Sequence, residues 1–425
     1  MLDITFIRDN LVAVEANIRN RNMQADPRLA VALHEERSRS VQALEAKRAA
    51  RNENASRMKG KLEPTERQAL IDEGKALKDE IGRLETTLSE VEPRLKVALM
   101  QIPNMAHPDA PVGKTDVDNP ELKRIGVPTQ FLFPALDHVQ LGEKLDIIDF
   151  EAGTKVSGTK FYFLKNEGVF LELALVRFVL DLLTKKGFTP FITPDIAREE
   201  VLTGIGFNPR GPESNIYPLE GTDTCLVGTA EITLGGYYAD QIVDLSQGPI
   251  LMAGLSHCFR REAGAHGQFS KGLYRVHQFT KVEMFALCQP DQSDALHETL
   301  RGIEEEIFTS LEIPFRVVDT CTGDLGAPAY RKYDLEAWMP GRGTGEYGEV
   351  TSTSNCTDFQ ARRLGIRYKD AQGRNRPVHM LNGTAMAVSR GMIAILENFQ
   401  QADGSVRIPE LLVPYTGFDI IRPRR

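Results

Sequence analysis

The stretch Cys258-Phe-Arg-Arg-Glu-Ala-Gly-Ala-His-Gly267, followed by Gly272-Leu-Tyr-Arg-Val-His-Gln-Phe-Thr-Lys-Val-Glu-Met-Phe285, decides how this chain is read. Two apolar runs enclose a polar loop at 268–271, so the spacing predicts strand, loop, strand, with strands over 250–260 and 276–288. Side chains alternate along a strand. That places Arg260 and Glu262 on one face of the first strand, and gives Arg275, His277, Phe279 and Lys281 one parity on the second. Two Arg, a Glu and an aromatic on one hairpin suit a nucleotide with its phosphates. Guanidinium forks bind phosphate, a carboxylate accepts from an exocyclic amine, and an aromatic face stacks on a base. A surface hairpin laced with ion pairs would use the same residues.

Downstream, Leu381-Asn-Gly-Thr-Ala-Met-Ala-Val-Ser-Arg390 passes from a strand at 380–381 into an apolar helix, with Arg390 its lone charge. Burying such a charge is costly unless it meets an anion, either an internal carboxylate or a bound phosphate. Helical patterns at 171–186 and 293–311, mixed with strands meeting in hairpins, predict an α+β domain with a mainly antiparallel sheet and flanking helices. There is no P-loop, dinucleotide fingerprint, zincin motif or nucleophile elbow. The eight His have no metal-ligand spacing.

Upstream the composition changes. From about residue 27 to 99 the chain has no Trp, Tyr, Phe or Cys and is rich in Ala, Leu, Glu, Lys and Arg. Leu70, Gly74, Leu77, Ile81, Leu84, Leu88, Val91, Leu95, Ala98 and Ile102 alternate spacings of four and three, a heptad seam. Leu29, Leu33, Val41, Leu44, Ala55 and Met58 give a weaker stripe. Between the two lies Gly60-Lys-Leu-Glu-Pro-Thr-Glu66, with Thr65 as the expected N-cap. The pattern predicts an antiparallel helical hairpin over about 27–100; a coiled coil between chains is the alternative. The expected domains are 1–110, carrying the hairpin, and 111–425.

The 425 residues hold 51 Lys+Arg and 59 Asp+Glu, a formal charge of −8, which by itself argues against nucleic acid. The charge is uneven: residues 27–61 carry nine basic and four acidic side chains. Five Cys without C-x-x-C spacing point to a reducing compartment. No apolar run reaches membrane length, and the first residues lack a leader's basic start and apolar core, so a cytoplasmic location with no membrane partner is expected.

In these segments the chain resembles the class II aminoacyl-tRNA synthetases. The helix before Gly187-Phe-Thr-Pro-Phe-Ile-Thr-Pro194 is similar to motif 1, which forms a dimer interface in that family. Phe259-Arg-Arg-Glu262 with its hairpin is similar to motif 2, and residues 382–390 to motif 3. With the N-terminal hairpin, Gly228-Thr-Ala-Glu231, Glu349-Val-Thr-Ser352 and Asn355-Cys-Thr-Asp-Phe-Gln360, the chain is similar nearly end to end to the bacterial and organellar seryl-tRNA synthetase family. Departures are Arg261 in place of a common Ser, Thr280 in place of a common acid, Gly228 in place of a frequent Pro, and residues 203–227, which look more like the mitochondrial branch.

The resemblance implies a homodimer that makes seryl-adenylate from L-serine and ATP with Mg²⁺. Serine then passes to tRNA(Ser), with tRNA(Sec) a further acceptor and DNA no partner. Arg260, Glu262 and Arg390 would be catalytic. ATP would meet these three and Arg261, Arg275, Val276, Phe279, Glu349, Val350, Thr351 and Ser352, with Mg²⁺ on Glu349 and Ser352. Serine would meet Thr229, Ala230, Glu231, Arg260, Glu283, Asn382 and Thr384. The hairpin would grip the tRNA's long variable arm through Arg37, Arg39, Lys47, Arg48, Arg51 and Arg57. A paralogue loading a non-tRNA carrier, or a non-catalytic coiled-coil protein, are the alternatives.

Overall fold

A computed structural model describes residues 1–208, 214–263 and 271–424. It divides into two compact units, Met1–Met105 and Ala106–Arg425. In the first, short helices α1 (Ile4–Asp9) and α2 (Leu11–Asn20) precede α3 (Pro27–Arg57) and α4 (Pro64–Gln101), which pack as a hairpin. Asp26 caps α3 by accepting from the Leu29 N–H at 3.0 Å. Thr65 is not the cap of α4. Glu63 takes that place and Pro64 opens the helix, where the N–H it lacks would have gone unpaired.

The α4 seam follows the heptad, with Leu70, Leu77, Ile81, Val91, Leu95 and Ala98 buried. The α3 seam differs from the expected stripe. Ala30, Leu33, Ser40, Leu44 and Asn54 are buried, whereas Leu29 and Ala55 are exposed. These residues fit one heptad register whose remaining positions hold Arg37, Lys47 and Arg51, so charge masks the period. Asn54 Nδ2 donates to the Leu70 carbonyl at 3.1 Å and to Glu73 Oε2 at 2.8 Å. A buried polar residue of this kind pins the register. Ile7, Val14 and Ile18 pack with Leu33, Val91 and Leu95 at the base.

The second unit is built on an eight-stranded sheet. Its elements are β1 (Glu121–Ile125), α5 (His138–Lys144), α6 (Glu167–Lys185), β2 (Thr189–Ile192), α7 (Ala230–Tyr237), β3 (Ile250–Phe259), β4 (Gln278–Cys288), α8 (Ser293–Ser310), β5 (Phe315–Asp319), β6 (Arg331–Met339), β7 (Glu346–Asn355), β8 (His379–Ala387) and α9 (Val388–Asn398). The strand order is β1-β5-β6-β7-β8-β4-β3-β2, antiparallel except where edge strand β2 pairs with β3. β4 is covered on both faces. Val282, Met284 and Ala286 join a core with Leu171 and Leu175 of α6 and Ile393 of α9, while Phe285 and Leu287 join a second core with Ile232 and Leu234 of α7.

Strand ends depart from the sequence pattern. β3 stops at Phe259, and Glu262 adopts φ 49°, so alternation does not bring Arg260 and Glu262 together. A turn does. β4 starts at Gln278 rather than 276, and β8 runs on to Ala387, far beyond 381. Of the polar loop expected at 268–271, only Lys271 lies within the described residues.

Candidate active site

One cavity of about 150 Å³ gathers side chains from six separate stretches of the second unit. Thr229 and Glu231 come from the start of α7, Arg260 and Glu262 from beyond β3, Arg275 and Val276 from the approach to β4, and Phe279 from the start of β4 itself. Glu283 follows on β4. Glu349, Val350, Thr351 and Ser352 come from β7, Asn382 and Thr384 from β8, and Arg390 from α9. A larger, more open cavity of about 730 Å³ shares Tyr274, Arg275 and Glu349 and adds Arg316, Lys332 and Arg342.

Two bulges make this gathering possible. Between β6 and β7 the register slips from Leu335↔Thr351 to Glu336↔Glu349, leaving Val350 as an extra residue. The slip returns Glu349 to the side of Ser352, which strict alternation would deny it. Between β4 and β8 the register slips from Val282↔Met386 to Glu283↔Thr384, which sets Thr384 opposite Glu283. Thr384 Oγ1 donates to Glu283 Oε2 at 3.4 Å.

At one end the cavity is carboxylate-rich. Glu231 Oε1 accepts from Gln360 Nε2 at 2.7 Å and from Asn382 Nδ2 at 3.0 Å. Thr229 Oγ1 accepts from the Glu231 N–H at 3.2 Å, capping α7 and fixing this carboxylate in its first turn. Burial, then the nearby Glu283 charge, push the Glu231 carboxyl up to about 7. Glu283 is itself buried and paired with buried Lys281, whose Nζ also donates to Thr384 Oγ1 at 3.4 Å.

The other end is cationic. The Arg260 N–H donates to the His277 carbonyl at 3.0 Å and Nε to the Gly228 carbonyl at 3.3 Å. Its guanidinium lies 5.2 Å from the Phe279 ring centroid. Arg275 pairs with Glu262 at 3.1 Å. Arg390 pairs with Glu349 at 3.2 Å, donates to the Glu349 carbonyl at 2.9 Å and stands 4.7 Å from the Tyr274 ring centroid. Arg390 thus meets an internal carboxylate, the first of the two anions its sequence context allowed. Burial pushes the Glu349 carboxyl up, but Arg390, then Lys332 and Arg260, outweigh it and hold it below its ordinary value. Thr351 belongs to the wall while its hydroxyl donates behind the sheet, to Glu304 Oε2 at 3.1 Å.

Two of the residues read from the sequence lie off the cavity. Arg261 is exposed, its backbone N–H donating to the Asn215 carbonyl at 2.9 Å, and Ala230 is fully buried. Phe207, Tyr274, Lys281, Ala387 and Ser389 line it without having been singled out. Lys281 left a signal, a charge two residues from Glu283 in a strand whose later half is apolar on both faces; Tyr274 left none.

Arg37, Arg39, Lys47, Arg48, Arg51 and Arg57 all lie on α3 of the first unit. Arg37 pairs with Glu92 at 2.9 Å, Lys47 with Glu80 at 2.5 Å and Arg48 with Glu85 at 2.8 Å, all across the hairpin. Arg39 lies 3.9 Å from Glu35 on its own helix. Arg51 and Arg57 are exposed.

Residues 1–106 match the seryl-tRNA synthetase N-terminal domain, and residues 219–399 the tRNA synthetase class II core domain (G, H, P, S and T). The chain is 66% identical to a serine--tRNA ligase of Treponema denticola, over 99% of this chain and 100% of that one. It is 59% identical to the Treponema pallidum enzyme of the same name, with both chains fully covered. The fold superposes on seryl-tRNA synthetase from Pyrococcus horikoshii complexed with ATP, with a TM-score of 0.93 and 41% identity over 100% of both chains. An arm, an antiparallel sheet and a two-ended polar cavity, joined to this identity along the whole length, make the chain a member of the seryl-tRNA synthetase family, within class II.

Proposed function

We propose that this chain activates L-serine with ATP to seryl-adenylate and transfers serine to the 3′ end of tRNA(Ser), with tRNA(Sec) as a second acceptor. The observation that carries this is the division of one cavity into a carboxylate end, Glu231 and Glu283, and a guanidinium end, Arg260, Arg275 and Arg390. The first suits an ammonium and a hydroxyl, the second a triphosphate.

In this reading the serine ammonium sits on Glu231 and Thr229, and its hydroxyl on Glu283 and Thr384, with Asn382 bracing Glu231. Glu283, already paired with Lys281 and Thr384, lacks the substrate's hydroxyl donor if alanine enters, which is the basis of selectivity. Arg260 aligns the serine carboxylate with the α-phosphate. The carboxylate is already a nucleophile, so the step needs alignment and neutralising charge rather than a general base. The carboxylate oxygen forms a bond to phosphorus as pyrophosphate leaves. Arg275 and Arg390 hold the outer phosphates, Glu262 takes the adenine amine and Phe279 stacks on the base. Among the described residues no three acidic, His or Cys side chains cluster as a metal cage. One cavity-facing carboxylate, Glu349, with the Ser352 hydroxyl fits Mg²⁺ delivered on ATP, because Mg²⁺ keeps several waters and shares its ligands with phosphates. Bound there, it would neutralise phosphate charge.

The arm would grip the long variable arm of the tRNA. A homodimer is supported by an exposed apolar face, Val169, Phe170 and Leu173 of α6 with Ile192 on edge strand β2. The buried thiols of Cys225, Cys258, Cys288, Cys321 and Cys356 suit the cytoplasm, and no helix among the described residues is long and apolar enough to cross a membrane. The test is serine-dependent ATP–pyrophosphate exchange followed by charging of total tRNA. Exchange without charging would favour a non-tRNA carrier, and no exchange would refute the proposal.

A further inference from the structure

We infer that Glu397 and His138 are positioning residues that tie α9 to the segment Gly272–Tyr274 and so hold Arg275 and Arg390 in register with each other. The inference rests on the reading of the cavity as an ATP site. Neither residue lines that cavity, and both are almost fully buried, His138 at 1% and Glu397 at 2% exposure.

The hydrogen bonds form one chain. Glu397 Oε1 accepts from the His138 backbone N–H at 3.0 Å and lies 2.8 Å from His138 Nδ1. His138 Nε2 lies 3.1 Å from the backbone nitrogen of Leu273, a group that can only donate. Nε2 is therefore the unprotonated nitrogen, and Nδ1 carries the proton and donates to Glu397. Glu397 Oε2 accepts from the Gly341 N–H at 2.9 Å. One carboxylate thus fixes the residue before Tyr274 and, separately, the residue before Arg342.

Those two branches meet again at the cavity. The Tyr274 ring has the Arg342 guanidinium 5.2 Å and the Arg390 guanidinium 4.7 Å from its centroid. Arg390 and Glu397 are seven residues apart, two turns along one face of α9. The helix therefore touches the same short segment twice, once through Arg390 on Tyr274 and once through Glu397 and His138 on Leu273. Backbone fit is demanding. Gly272 has φ 57° and a Cβ there would strike the His138 imidazole, while a Cβ on Gly341 would come within 2.5 Å of Asp137 Cα. Asp137 also pairs with Lys271, at the start of the same segment. Arg275 follows Tyr274 directly, so any slack at Leu273 moves the guanidinium meant for the outer phosphates.

The test is exchange kinetics of the full-length chain with ATP and serine varied separately and thermal unfolding measured alongside. His138→Ala and Glu397→Gln should raise the KM for ATP about tenfold and lower kcat, while the KM for serine shifts less than about twofold, as expected when a reacting group is displaced at only one end of a site. His138→Gln keeps an acceptor near the Nε2 position and should recover most of the loss. A normal KM for ATP in either damaging variant, or an equal rise in both KM values, would overturn the inference. So would equal loss in His138→Gln and His138→Ala. If the alanine variant is insoluble, His138→Gln against Glu397→Gln decides: near-normal ATP kinetics in the first with a raised KM in the second supports the clamp, and equal kinetics refutes it. Absence of exchange in the unaltered chain would instead remove the ATP reading itself.

Discussion

The two units use the same residue types, Arg, Lys and Glu, in opposite ways. On the arm, Arg37, Lys47 and Arg48 pair with Glu92, Glu80 and Glu85 at the surface, each side chain roughly half exposed. Such pairs are each worth about 0–1 kcal/mol and can be exchanged for phosphate contacts at little loss. In the cavity, Lys281 with Glu283, Arg275 with Glu262 and Arg390 with Glu349 stand in a walled polar site, where a charge stripped of its partner is expensive. One set is built to be traded, the other to be kept. Net charge over the whole chain averages these two surfaces and hides both.

The sharpest way to break this contrast is Arg260→Ala. It removes the cation expected at the α-phosphate and should lower pyrophosphate exchange by at least about 10³-fold; normal exchange would take the cavity out of the reaction. Next comes deletion of residues 30–97 with a short linker. Charging should fall more than about 10²-fold, since the phosphate contacts are lost, while exchange persists. Charging that survives the deletion would contradict the arm's role.

A smaller effect tests the carboxylate end. Glu231 is pushed up to about 7 by burial and by Glu283. Its ionised form is the one that meets the serine ammonium, so the KM for serine should fall about tenfold between pH 6 and pH 8, and Glu231→Gln should flatten the profile. The stability sign runs the other way. A raised carboxyl keeps its proton in the folded state between its ordinary value and about 7, so its contribution to stability falls as pH rises through that window. Glu231→Gln should therefore unfold at a higher temperature than the parent at pH 8 and bind serine more weakly. A parallel loss of both would refute the assignment.

The smallest effects are on the arm. Arg51→Ala or Arg57→Ala should weaken tRNA binding a few-fold and reduce the salt slope by about one. Arg37→Ala should cost less, because Arg37 must give up its pair with Glu92 before it can reach a phosphate. Equal losses at all three positions would mean that the crossing ion pairs do not compete with RNA.

Much of this was legible in the residues. The hairpin of α3 and α4 announced itself through the α4 heptad and the Gly/Pro break. The companion seam did not, because Arg37, Lys47 and Arg51 occupy seam positions and read as a polar face. Most of the cavity's walls were carried by motif resemblance, but the geometry behind them was hidden. Alternation along a strand predicts which side chains share a face only while the register is unbroken, and here the slips at Val350 and between Glu283 and Met386 do the placing. Arg260 and Glu262 were expected together for the wrong reason, since a left-handed turn unites them rather than a strand. His138 and Glu397 lie 259 residues apart and nothing local links them.

The regular seam of the hairpin has a consequence for how such an arm can change length. Because α3 and α4 keep the same seven-residue period, removing or adding one heptad in each helix together would leave every buried contact type in place. It would move the tip bearing Arg51 and Arg57 by about 10 Å. Asn54 travels with the tip and would lock the new register. The arm is thus a ruler with fixed gradations, able to be reset for an RNA of different reach in discrete steps but not by intermediate amounts.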